Sequence, residues 1–145
     1  MLKNPLVLAF IASLFFGICP ILFKLAISSG PAPDVVIWVG AGVTIGGCVW
    51  KFFEGGSLSY SWSLIWNSTF SGIIYTAGLV CALLALKSEG GYLSLIVPIY
   101  NINTIWTMLA GLIYFNEYQK VSISHAVIGA VLIIIGGGFI GLAKK

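Results

Sequence analysis

The chain has 145 residues, of which 59% are hydrophobic and only 8% charged, with a net charge of +3; its mean hydropathy is +1.07. A soluble domain holds its surface in water with roughly 25% charged residues, so this composition excludes one. The basic residues are seven lysines and no arginine, spread along the chain, which leaves no guanidinium fork for phosphate or nucleic acid.

A helix crosses a bilayer with roughly 20 apolar residues at about 1.5 Å each. The sequence predicts five such spans in one transmembrane domain, residues 1–145. The first covers about 5–28, too long for a signal-peptide core, and ends where Pro31 and Pro33 cannot continue a helix. Asp34 is the expected N-cap of the second, about 35–53. A polar connection from Glu54 to Ser61 leads to the third, about 64–85, which Gly90 and Gly91 close. The fourth, about 93–115, contains Pro98, and Ser122 or Ser124 caps the fifth, about 126–143. Backbone groups in lipid must be satisfied within the segment, so these spans are helices. Trp50, Phe52, Tyr60, Trp62 and Trp66 surround one loop, and Tyr114, Phe115 and Tyr118 another on the same side, as interfacial belts do.

Five spans put the termini on opposite sides. Lys3, Lys51 and Lys120 then face Lys87, Lys144 and Lys145 across the membrane, with Lys24 inside a span. Lysines balanced three against three give the positive-inside rule nothing to act on. Either other features, such as a dominant first helix, fix the orientation, or the chain inserts both ways and pairs antiparallel.

The few polar residues fall on helical stripes. Ser13, Gly17, Pro20, Lys24 and Ser28 share a face of the first span; Asn67, Ser71, Tyr75 and Gly78 share one of the third. Tyr100, Thr104, Thr107 and Gly111 share one of the fourth, with Asn103 on its flank and Asn101 further round. Such residues either bond neighbouring helices together or line a polar path; three striped spans favour a path. Lys24 is either functional, as ionisable groups within spans commonly are, or reaches the interface along its stem. Asp34, Glu54, Glu89 and Glu117 all lie at span ends or in loops, so the sequence favours neutral, zwitterionic or anionic solutes over permanent cations. Gly42 and Gly46, and Gly137 and Gly141, have the small-xxx-small spacing of close helix packing. The lone His125 has no catalytic companion, and there is no phosphate loop, dinucleotide fingerprint or metal motif. Neither an enzyme nor a cofactor is expected. Cys19, Cys48 and Cys81 have no paired spacing and read as small packing residues.

Residues 85–142 resemble the closing half of an EamA-type unit of the drug/metabolite transporter superfamily. The likeness rests on Ala85-Leu86-Lys87 ending a helix, Pro98 early in the next span, Glu117 after Phe115-Asn116, and a glycine-containing last helix around Gly129 and Gly136. Phe16-Gly17, Pro20 and Lys24 agree more loosely. Family members usually have Gly before this Glu; here it is Asn116. The resemblance implies an all-α, five-helix EamA-like unit of the single-unit bacterial and archaeal type, paired antiparallel into a ten-helix assembly. It implies alternating-access transport of a small metabolite or hydrophobic solute, commonly export, in a prokaryotic inner membrane. The first-span glutamate of the four-helix multidrug relatives is absent, so proton-coupled cation export is not implied.

The expected lining residues are Ser13, Gly17, Lys24, Trp38, Ser71, Tyr75, Tyr100, Asn101, Asn103, Thr104 and Thr107, with the fifth span structural or dimer-forming. The other reading is a non-transporting scaffold or regulatory subunit of a partner complex. The expected partners are the bilayer, a second inverted copy or a paired homologous subunit, and a small-molecule solute. Dual insertion predicts that a cysteine added at the C-terminus labels from both sides of sealed vesicles; labelling from one side alone contradicts it.

Overall fold

The computed structural model describes residues 4–55 and 57–143; Lys3, Lys144 and Lys145 of the charge count lie outside the described residues. Those residues form helices and connections, with no strand among them. Five stretches are long and apolar enough to cross a membrane, the make-up of an integral, multi-pass membrane protein. The chain divides into two compact units, Met1–Glu89 and Gly90–Lys145.

The first unit holds α1 (Pro5–Ser29), α2 (Ala32–Glu54) and α3 (Trp62–Lys87). Asn4 caps α1, its side-chain oxygen accepting from the Leu6 amide at 2.9 Å, and Pro5 begins the helix where a missing N–H costs nothing. The turn to α2 is tighter than expected. Pro31 is the N-cap and Pro33 sits in the first turn, so α2 begins at Ala32 and Asp34 lies inside the helix rather than capping it. The reason is that proline suits a first helical turn, where its amide would be unpaired anyway. Asp34 still opposes the positive end of the helix dipole there. The third helix extends the expected 64–85 by two residues at each end.

Packing in this unit is concentrated at one end. Phe23, Ala26 and Ile27 of α1 meet Ala32, Val35, Val36 and Val39 of α2 and Leu79 and Leu83 of α3. Leu83 and Leu86 are the largest fully buried side chains among the described residues, and Pro20 of α1 is also buried. Beyond this cluster the helices are largely uncovered by the chain itself. In the most apolar stretches of α1 and α2 only 6% of residues are buried, and in α3 17%. Gly17, Gly42, Gly46 and Gly78 have no other atoms near the position of a β-carbon, and Cys48 and Cys81 are exposed rather than packed. The aromatic side chains Phe52, Phe53, Tyr60 and Trp62 gather, exposed, around the α2–α3 connection, where Trp66 stacks on Phe70 at 6.3 Å.

The second unit holds α4 (Leu93–Tyr100), α5 (Asn103–Ile113), a 3₁₀ turn (Glu117–Gln119) and α6 (Ile123–Leu142). The expected span 93–115 is therefore two helices, interrupted at Asn101–Ile102 and ending at Ile113. Asn116 takes the left-handed conformation, φ 55°, which glycine adopts freely and asparagine tolerates. An asparagine can thus stand where the resembled family has glycine. The chain then turns Glu117 back onto α5, where its Oε2 lies 2.7 Å from a β-carbon placed on Gly111. With any larger residue at 111 the Glu117 carboxylate would have to move from this position. The last helix begins at Ile123, three residues before the expected start, and Ser122 pairs its hydroxyl with His125 Nδ1 at 2.7 Å rather than with a backbone amide. It packs on α4 through a stripe on which Ala130 and Gly137 are buried.

Leu83 has no exposed surface, so Leu83→Ala is expected to cost about 2–5 kcal/mol. Ile37→Ala, at a position 68% exposed, is expected to change little. Thermal unfolding in detergent should separate the two; equal losses would contradict the packing described.

Candidate functional site

The interruption of span 4 is the feature with the most chemical content. Proline has no amide hydrogen, so Pro98 supplies no bond to the carbonyl of Ser94. Three residues later the ladder tightens. The amides of Ile102, Thr104 and Ile105 donate to the carbonyls of Ile99, Asn101 and Ile102, three residues back, at 3.2, 3.1 and 3.0 Å. Such 3₁₀-type bonds inside a helical span mark a break or hinge. Asn101 and Asn103 flank the break and are both exposed. Thr104 Oγ1 donates to the Asn101 carbonyl at 2.9 Å, and Thr107 Oγ1 to that of Asn103 at 3.3 Å.

Within α5 the expected stripe survives as Thr104, Thr107 and Gly111, while Tyr100 belongs to α4. Glu117, which the sequence placed in a loop, brings its carboxylate onto this stripe at Gly111. Sequence reasoning missed that position. A left-handed asparagine followed by an acid, six residues after a glycine, was the available signal.

In the first unit, Lys24 does something neither sequence reading anticipated. Its Nζ donates to the backbone carbonyl of Leu86, in the last turn of α3. The final four carbonyls of a helix lack helical donors, and the dipole there is negative, so an ammonium is a natural partner. Pro20, one turn before it, is buried, while Ser28, one turn after it, is exposed. Towards the N-terminus of the stripe, Ser13 and Gly17 are exposed, and the Ser13 hydroxyl donates to its own helix at Phe10 O, 2.7 Å.

On α3, Ser71 and Tyr75 are exposed, Tyr75 at 59%. They lie about a quarter turn from the packed edge formed by Leu79, Leu83 and Leu86. Trp38 projects from the flank of α2, exposed beside the packed Val35, Val36 and Val39. The hydroxyls of Ser13, Ser28, Thr44, Thr104 and Thr107 all donate to backbone of their own segments. None of these bonds joins one span to another, and Lys24 to Leu86 does.

The expected residues therefore fall into two groups. Ser13, Gly17, Lys24, Trp38, Ser71 and Tyr75 lie in the first unit; Tyr100, Asn101, Asn103, Thr104 and Thr107 lie around the break in the second. No family model, curated protein or solved structure matches the chain.

If Lys24 holds the end of α3, Lys24→Met is expected to lower the melting temperature by the worth of about 1–2 kcal/mol, and Lys24→Arg to retain most of it. A Met variant as stable as the parent would remove the clamp from the account.

Proposed function

We propose that the chain is a membrane transporter subunit that moves a small metabolite or hydrophobic solute by alternating access between two inverted five-helix units. The observation that carries this reading is the break of a 21-residue apolar span at Asn101–Ile102, with Asn101, Asn103, Thr104 and Thr107 around it. Irregular backbone at membrane depth is tolerated where it is buried in protein or lines a water-filled cavity. In transporters, interrupted helices of this kind supply the solute site near the midplane.

Two further points support the reading. The hydroxyls of Ser13, Thr104 and Thr107 bond to their own segments and do not hold neighbouring spans together, which leaves these positions free to line a path. The likeness of residues 85–142 to an EamA-type unit of the drug/metabolite transporter superfamily implies the same activity, with a second unit in inverted orientation. In this proposal two copies insert oppositely and pair in a prokaryotic inner membrane. Their path is lined by Asn101, Asn103, Thr104 and Thr107 together with Ser13, Gly17, Ser71, Tyr75 and Tyr100. Trp38 contributes an aromatic wall. Direction is export, and the cargo is neutral, zwitterionic or anionic.

Purified protein in liposomes tests this. Counterflow of amino acids, sugars, nucleosides and organic acids should reveal at least one transported solute, and Asn103→Ala should slow its transport by roughly tenfold, about one hydrogen bond's worth. Monodisperse protein that moves none of them would instead indicate a scaffold or regulatory subunit.

A further inference from the structure

The break in span 4 is not loose. Ile102, the residue at the break, lays its side chain against Gly137 of α6: a β-carbon placed on Gly137 would sit 3.0 Å from Ile102 Cδ1 and 3.5 Å from Cγ1. Gly137 is buried, and the neighbouring Gly136 and Gly138 have no such contact. One glycine of three consecutive ones thus receives one side chain, at the point where the span is interrupted. A methyl at 3.0 Å is tighter than ordinary van der Waals contact, so with alanine at 137 the Ile102 Cδ1 would be displaced by a few tenths of an ångström from this seat.

The seat also fixes a direction. Ile102 is the N-cap of α5 in a helical conformation, and continuing the 100° step of α5 back to it puts it opposite the Thr104, Thr107 and Gly111 stripe. Anchoring Ile102 to α6 therefore turns that polar stripe away from α6. We infer that Ile102 and Gly137 are the positioning pair of the broken span: their contact fixes where the span breaks and which way the polar face of α5 points. This rests on reading the break as part of a solute path. The pair itself touches no solute. A path that must open and close needs its interrupted helix to pivot about a fixed point, and a side chain seated on a glycine supplies one without a bond that must break.

The test uses full-length protein in lipid nanodiscs and follows backbone hydrogen exchange at Thr104 and Ile105, whose amides bond across the break at 3.1 and 3.0 Å. Gly137→Ala should speed exchange at these two amides by about tenfold while leaving α1 to α3 unchanged. Adding Ile102→Val removes the Cδ1 carbon and leaves the 3.5 Å contact, so the double variant should return to within about twofold of the parent. Should Gly137→Ala not fold, Ile102→Ala on the parent chain removes the seated side chain and should loosen the same two amides. Unchanged exchange there, a rise spread evenly over α4 to α6, or no recovery in the double variant would overturn the pairing. Solute counterflow on the same proteins separates this inference from the transport reading. A local exchange effect in a protein that moves no solute keeps the pair and rejects the transporter.

Discussion

A peptide group without a hydrogen-bond partner costs several kcal/mol in hydrocarbon, and every span of this protein answers to that constraint. The helices α1, α2, α3 and α6 run unbroken for 20 to 26 residues, α1 doing so although Pro20 withholds one donor within it. Span 4 does not. Pro98 withholds one donor from the Ser94 carbonyl, and further along the amides of Ile102, Thr104 and Ile105 bond three residues back, to the carbonyls of Ile99, Asn101 and Ile102. The remaining polar groups need water, protein or solute beside them. The same stretch carries Asn101, Asn103, Thr104 and Thr107, so the polar side chains and the interrupted backbone occur together. In our account they have one cause, a polar environment within the membrane.

The same solvent explains how sparingly the chain packs. Lipid tails are as apolar as leucine, so burying one helix against another gains little from the hydrophobic effect, and close contact and polar bonds carry the association. The first unit is knitted at one end by small and branched residues around Leu79 and Leu83 and by Lys24 on the Leu86 carbonyl. The second uses small residues on α6, Ala130 and Gly137, to admit α4 and Ile102. Elsewhere the apolar surface is left uncovered by the chain, which suits helices that meet lipid or, as proposed, a second copy.

Much of this was legible in the sequence because it depends on local composition. The five apolar spans, and the end of α3 to within two residues, follow from hydropathy and from Gly90-Gly91. α2 starts earlier than the sequence predicts because Pro33, which breaks a helix interior, is compatible with a first turn. Pro98 announced a disturbance in span 4 but not its position. The break falls at Asn101–Ile102, and Ile102, four residues after the proline, has no polar signal of its own. Lys24 read as either functional or interfacial because its partner is a backbone carbonyl 62 positions away, which no side-chain pattern reveals. Glu117 on Gly111 depends on the left-handed turn at Asn116. The seat at Gly137 was hidden among eighteen glycines, only the structure distinguishing it from its neighbours.

The central claim is that the interruption of span 4 opens to water inside the membrane. The most direct measurement is a cysteine scan from Leu93 to Ile113 in a background free of Cys19, Cys48 and Cys81, labelled in sealed membranes with a small hydrophilic thiol reagent. The account predicts labelling that peaks at Asn101→Cys, Asn103→Cys and Thr104→Cys, continues along the α5 stripe at Thr107→Cys, and spares Ile99→Cys and Leu109→Cys. Protection throughout the span, or labelling confined to its two ends, would contradict it.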